Sequence, residues 1–171
     1  MFTNQQINID ALPTIDDVNF KPVSKQYLKI IILNRSAIYL IVMAALWIAK
    51  MKVIDDTFQN LFWYILAAVM FIAIANLIFS IVAFKTRKYA IREQDVIYTK
   101  GFLVNSIAAV PISRIQHLEI SRTWLARKLN LATLNIFTAG ESGIDLSIEG
   151  LNHSDAKKIN DYLSERVNGT T

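Results

Sequence analysis

The sequence predicts a membrane-embedded α-helical hairpin joined to a small cytoplasmic domain of α+β or all-β type, built on antiparallel strands and closed by a C-terminal helix. Three observations carry this. Apolar residues concentrate between Ile30 and Phe84, Lys and Arg bracket the apolar runs, and after Lys88 the apolar pattern changes from helical to a period of two. A chain of 171 residues that is 53% apolar, with a mean hydropathy of +0.34, suits an anchor plus one small domain.

Residues 1 to 29 read as a cytoplasmic N-terminal tail. Met1 to Asp17 has no basic start followed by a continuous apolar run, so it is not expected to be a cleavable signal peptide. The absence of cysteine excludes disulfides, zinc–thiolate sites, thiol nucleophiles and lipidated cysteines.

Residues 30 to 86 are expected to hold two transmembrane helices, about 33–54 and 61–84. Leu61 to Phe84 is 24 residues without a formal charge, roughly 36 Å of helix against a hydrocarbon core of about 30 Å. Phe62, Trp63 and Tyr64 open it as an aromatic belt, and Lys85, Arg87 and Lys88 stop it. The first span is less clean. Ser36 to Ala49 is 14 uncharged residues, a length that also fits a buried core helix. Arg35 and Lys50 can snorkel towards head groups, and the short connection to the second span favours a hairpin.

Lys21, Lys25, Lys29 and Arg35 precede the first span and Lys85, Arg87 and Lys88 follow the second, whereas the loop has only Lys50 and Lys52. Positive charge therefore predicts both termini in the cytoplasm. Within the second span Ala73, Asn76, Ser80 and Ala83 recur at spacings of three and four, a small and polar face that predicts helix–helix contact. A role for Asn76 in a transport path is the alternative reading of an intramembrane amide.

Residues 87 to 171 are expected to form the cytoplasmic domain. Tyr89–Arg92 and Val96–Lys100 flank a polar connection, and Ile107–Ile112 and Ile115–Ser121 follow, with Pro111 at an edge or bulge. Leu134, Ile136 and Thr138, then Ile144, Leu146 and Ile148, alternate with polar or outward residues. Such alternation predicts antiparallel strands with one wet face. Trp124 to Asn130 reads as a short helical turn in which Trp124, Leu125 and Leu129 enter the core. Asn152 and Asp155 form a cap, Leu151 and Ala156 a hydrophobic staple, and Ala156, Ile159, Leu163 and Val167 the buried stripe of a final helix.

With these elements placed, the chain resembles the bacterial pleckstrin-homology-like domain family of the second type, found in small bacterial membrane proteins with paired transmembrane helices. The residues that carry the resemblance are Tyr89 to Arg92, the stretch Val110-Pro-Ile-Ser-Arg-Ile-Gln-His-Leu-Glu-Ile, the segment beginning Trp124-Leu-Ala-Arg-Lys-Leu-Asn, and Thr138-Ala-Gly-Glu-Ser-Gly. It covers roughly Tyr89 to Val167, and Phe20-Lys-Pro-Val-Ser-Lys is similar to the family's membrane lead-in. The resemblance implies a bent antiparallel sheet of about seven strands capped by a C-terminal helix, in the bacterial cytoplasmic membrane. It implies neither phosphoinositide binding nor any catalytic residue. Near Asn130 the family usually has glycine, which predicts a left-handed residue there.

No catalytic constellation emerges. His117 and His153 lie on different elements, the serines lack a nucleophile motif, and Gly140 with Gly143 reads as a turn. Glu141, Asp145 and Glu149 fit the wet face of a sheet better than a metal site. No cofactor and no nucleic acid is expected. The expected partners are the lipid bilayer and a membrane protein, including one that carries further domains of the same kind. Arg122, Arg127 and Lys128 are the candidate contacts to anionic lipid or to that partner, and Ala73, Asn76 and Ser80 the candidate helix contacts. A non-catalytic interaction module is the first functional reading. A subunit of a transport or envelope-stress complex is the second, and a lipid-acting enzyme the least supported.

Overall fold

The computed structural model describes Ile15 and residues 18–102, 106–139 and 145–169. The expected Gly140–Gly143 turn, Glu141, Ile144 and most of the N-terminal tail lie outside the described residues.

The two long helices are α1, Lys25–Lys52, and α2, Asp56–Lys85. At 30 residues α2 is roughly 45 Å long, so it overshoots a bilayer core. Most of its apolar side chains and those of α1, among them Leu40, Ile41, Phe71 and Ile72, are exposed, as lipid-facing residues are in a protein without its bilayer. Helix α1 starts earlier than the apolar pattern predicts, because its first turns pack on the folded domain: Ile30 is buried and Tyr27 joins the core. The loop between the helices is tight. Asp55 caps α2 by accepting from Thr57 N at 2.7 Å, and the Gln59 amide donates to the carbonyls of Lys50 (2.9 Å) and Val53 (2.7 Å) at the end of α1. Above this turn Phe62 is fully buried, with Trp47, Phe58 and Trp63 at its edges, and Lys50 Nζ stands 4.4 Å from the Phe62 ring and 4.1 Å from the Trp63 ring.

Beyond α2 the chain forms β2 (Lys88–Ile91), β3 (Asp95–Lys100), β4 (Ser106–Pro111), β5 (Ile115–Ser121), the five-residue α3 (Trp124–Lys128), β6 (Leu131–Thr138), β7 (Leu146–Asn152) and α4 (His153–Asn168). A two-residue strand β1, Lys21–Pro22, precedes α1 and pairs antiparallel with β2, Lys21 opposite Tyr89. Among the described residues the result is seven strands in two antiparallel sheets, β1-β2-β3-β4 and β5-β6-β7. Six are the strands read from the residues; the seventh comes from the segment ahead of the membrane helices. Pro111 ends the edge strand β4, where a missing N–H breaks no ladder, and a 3-10 turn over Ile112–Arg114 carries the chain to the second sheet.

Val96, Leu134, Ile136 and Ile148 point between the sheets with no exposure, and Ala156 and Leu163 of α4 seal the same core. Leu151 and Ala156 are both buried at the start of α4, as a staple requires. The Asn152 side chain bonds the Asp155 carboxylate at 3.3 Å instead of capping the backbone. Asn130 holds φ 53°, the left-handed position at the end of the α3 segment.

Trp124 corrects an expectation. It is 62% exposed, not core, while Leu125 and Leu129 are half-buried. Neighbouring helical residues point about 100° apart, so the face that buries Leu125 and Leu129 turns Trp124 outward. Its partner is Lys128, one turn on, whose Nζ lies 4.2 Å from the ring centroid.

Candidate functional site

The chemistry-bearing side chains gather where the membrane helices enter the domain. Three backbone connections meet there: Val23 N donates to Arg87 O (3.4 Å), Ser24 N donates to Gly150 O (2.9 Å), and β1 pairs with β2. Gly150 has φ +77°, and a Cβ on it would lie 2.4 Å from Tyr27 Cγ, so the ring packs flat on a strand that must be bare. Across this contact Tyr27 Oη donates to Glu149 Oε2 at 2.8 Å, and Arg87, one residue past the cap of α2, donates to the same oxygen and stacks its guanidinium 5.5 Å from the Tyr27 ring. Glu149, expected only on a wet sheet face, is thus the acceptor that joins both membrane helices to β7. Burial pushes the neighbouring Tyr98 phenol above its ordinary range; the Arg87 charge pulls it down and Glu149 pushes it up. Tyr27, Arg87 and Glu149 are bonded to one another, whereas the buried Tyr98 hydroxyl has no hydrogen-bond partner among the described residues; the cluster holds no nucleophile–base pair.

One flank of the junction is α3, which touches α1. Thr123 Oγ1 caps it by accepting from Ala126 N at 3.3 Å. Of the three candidate contact residues, Arg127 and Lys128 are exposed, whereas the Arg122 guanidinium donates to Leu131 O (3.0 Å) and Arg127 O (3.5 Å) and so holds the turn against β6. Sequence reading missed Trp124 as a member of this surface. The signal that could have found it was the Trp124–Lys128 spacing, which puts the ring on the charged face.

The other flank is the start of the β3–β4 connection. Gly101 takes φ 104°, and Phe102, 51% exposed, meets Phe79 of α2 edge-on at 6.0 Å between centroids.

Within the helical pair Ser80 is buried and donates to Asn76 O at 2.8 Å; Asn76 Oδ1 is buried with no hydrogen-bond partner among the described residues. Ala73 lines the cleft between the helices together with Ser36, Tyr39 and Met43. His117 packs on Phe137 at 5.5 Å and His153 starts α4, so the structure does not bring the histidines into one site. Asp145 clips the end of β6 by accepting from Thr138 N and Oγ1, both at 2.7 Å, and these bonds hold its carboxyl below the usual carboxylate range. Among the described residues no group of three or more His, Asp or Glu could hold a metal ion.

The architecture is that of a β-rich module fixed to a pair of long apolar helices, and comparison with known proteins agrees. The model of the bacterial PH domain family matches residues 29–167, and the chain belongs to that family. It is similar to the UPF0699 transmembrane protein YdbS of Bacillus subtilis (strain 168), with 32% identity over 80 residues, 47% of this chain and 48% of that protein. The chain therefore spans about half the length of the curated relative it matches. No solved structure matches it. Family membership, a transmembrane relative and two helices long and apolar enough to cross a bilayer together point to a membrane-associated, non-catalytic module.

Proposed function

We propose that the chain is a membrane-tethered interaction module whose PH-like domain docks, through the α3 surface, against a partner membrane protein at the cytoplasmic face. One observation carries the reading: Trp124 stands 62% exposed beside α1, stacked by Lys128, with Arg127 exposed on the same short helix. An exposed Trp next to an exposed Arg belongs to the side-chain set enriched at binding hot spots. A domain fixed to both helices presents this surface at a constant height over the bilayer, at high effective concentration for anything in the same membrane. Both termini lie in the cytoplasm by the Lys and Arg distribution, so reporter fusions at Thr171 and in the Asp55–Asn60 stretch should give opposite signals.

The test is in-membrane cross-linking of the full-length protein, compared with Trp124→Ala and with Arg127→Gln/Lys128→Gln. A partner adduct that disappears in both variants, at unchanged protein level, supports docking through α3. Adducts identical to wild type in both would remove the surface from consideration. The inner leaflet is the second reading, favoured because α3 lies against the helix that enters the bilayer. In that case the variants lose contact with anionic lipid head groups and keep their protein adducts.

A further inference from the structure

We infer that the molecule carries a binding site for one anionic glycerophospholipid, held between α2 and the start of the β3–β4 connection. Two adjoining cavities share a wall there. The first, about 470 Å³, is lined by Lys85, Thr86, Lys88, Thr99 and Gly101, with Phe20 and Phe102 at its apolar rim. The second, about 460 Å³, is lined only by apolar side chains, Phe71, Ile74, Ile78, Phe79 and Val82 among them, and again by Phe102. Phe102, resting on Phe79, therefore marks the boundary between a cationic space and a greasy one.

The chemistry of that boundary is the chemistry of one molecule. Among the described residues that line the first cavity the formal charges are Lys85 and Lys88, with no carboxylate, so an anion is the complementary guest. The hydroxyl of Thr99 donates to the carbonyls of Thr86 (3.2 Å) and Lys88 (3.4 Å), and that of Thr86 to Ala83 (2.9 Å). The lysines are thus the donors left for a phosphate. The second cavity runs along α2 towards the bilayer from the residue where the head group sits, as an acyl chain would. Its apolar walls offer no hydrogen bond to a polar occupant. A phosphodiester in the first cavity and a chain in the second are joined in a phospholipid of the cytoplasmic leaflet. A free phosphate would leave the groove empty.

Native mass spectrometry of the full-length detergent-solubilised protein tests this with phosphatidylglycerol and phosphatidylcholine of matched chains. Wild type should retain phosphatidylglycerol about tenfold better, each near-surface lysine adding attraction to an anionic lipid. Lys85→Gln/Lys88→Gln should lose that preference, while Lys25→Gln/Lys29→Gln, which removes the same charge from exposed positions on α1, should keep it. Phe102→Ser, at an exposed position that leaves the core intact, should weaken retention of both lipids. Acyl-free glycerophosphoglycerol should not displace the bound lipid. Equal retention of the two lipids by wild type overturns the site. So does equal loss in the two double-lysine variants, which would reduce the effect to bulk charge, and so does displacement by the acyl-free head group.

Discussion

The two ends of the helical hairpin are held by different kinds of contact. At the loop end the partners are close in sequence: Gln59 bonds carbonyls nine and six residues away, and Lys50 sits among Trp47, Phe62 and Trp63. At the domain end Tyr27 and Glu149 are 122 residues apart, and Arg87 and Glu149 are 62 apart. Local contacts let the loop end close as soon as the two helices meet. The domain end closes only when β7 is in place, so it reports on the whole fold.

The largest effect that would break this contrast should come from Gly150. Gly150→Val forces a side chain into the Tyr27 ring at a positive φ, and the strain and overpacking together should cost about 2–5 kcal/mol. Thermal unfolding of the full-length protein followed by limited proteolysis should show the domain end opening first, with the loop end intact. A melt that matches wild type would remove Gly150 from the junction.

A smaller loss, about 1 kcal/mol, is expected from Tyr27→Phe or Glu149→Gln, because the cluster is partly solvated. The two should be non-additive in a double-mutant cycle, since each abolishes the same charge-assisted hydrogen bond. Purely additive losses would mean that Tyr27 and Glu149 do not share it. At the other end, Lys50→Met should cost about 0.5–1 kcal/mol of cation–π attraction and leave the domain's melting unchanged. Disulfide trapping is well suited to comparing the ends, because the chain has no cysteine to interfere.

The smallest effect is a pH response remote from both ends. Thr138 holds the Asp145 carboxyl below its usual value, so the clip contributes stability above the unfolded pKa, about 3.9, and loses it as pH falls through the lower folded value. An amide titration of Thr138 should show this step in wild type and none in Asp145→Asn.

Much of the architecture was legible because it obeys a period. The alternation in Leu134–Ile136 and Leu146–Ile148 and the Ala156–Leu163 stripe each encode a face that is buried as the period requires, and the charge-free run from Leu61 to Phe84 encodes a long apolar helix by its length. Lys21–Pro22 escaped because two residues carry no alternation; only the exposed edge of β2 gives that strand a partner. Trp124 was misplaced because apolar neighbours are no guide to direction on a five-residue helix, where one position is a quarter-turn or more. The Tyr27–Glu149–Arg87 cluster left no trace in sequence. A tyrosine on a helix, an arginine after another and a glutamate on a strand have no common spacing, and only the tertiary fold makes them neighbours.

Strand β1 lies before the membrane helices and its ladder partner lies after them, which makes the entire hairpin an insertion between two adjacent strands of one sheet. This has a consequence for biogenesis. When the ribosome has made β1 its partner does not exist, and β2 emerges only after α2 has been synthesised. Until β2 is made, β1 stands without its ladder partner and the sheet keeps an open strand edge. Completion of the sheet is therefore a built-in record that both long helices have been made, and a chain beginning at residue 87 would lack the strand that completes it.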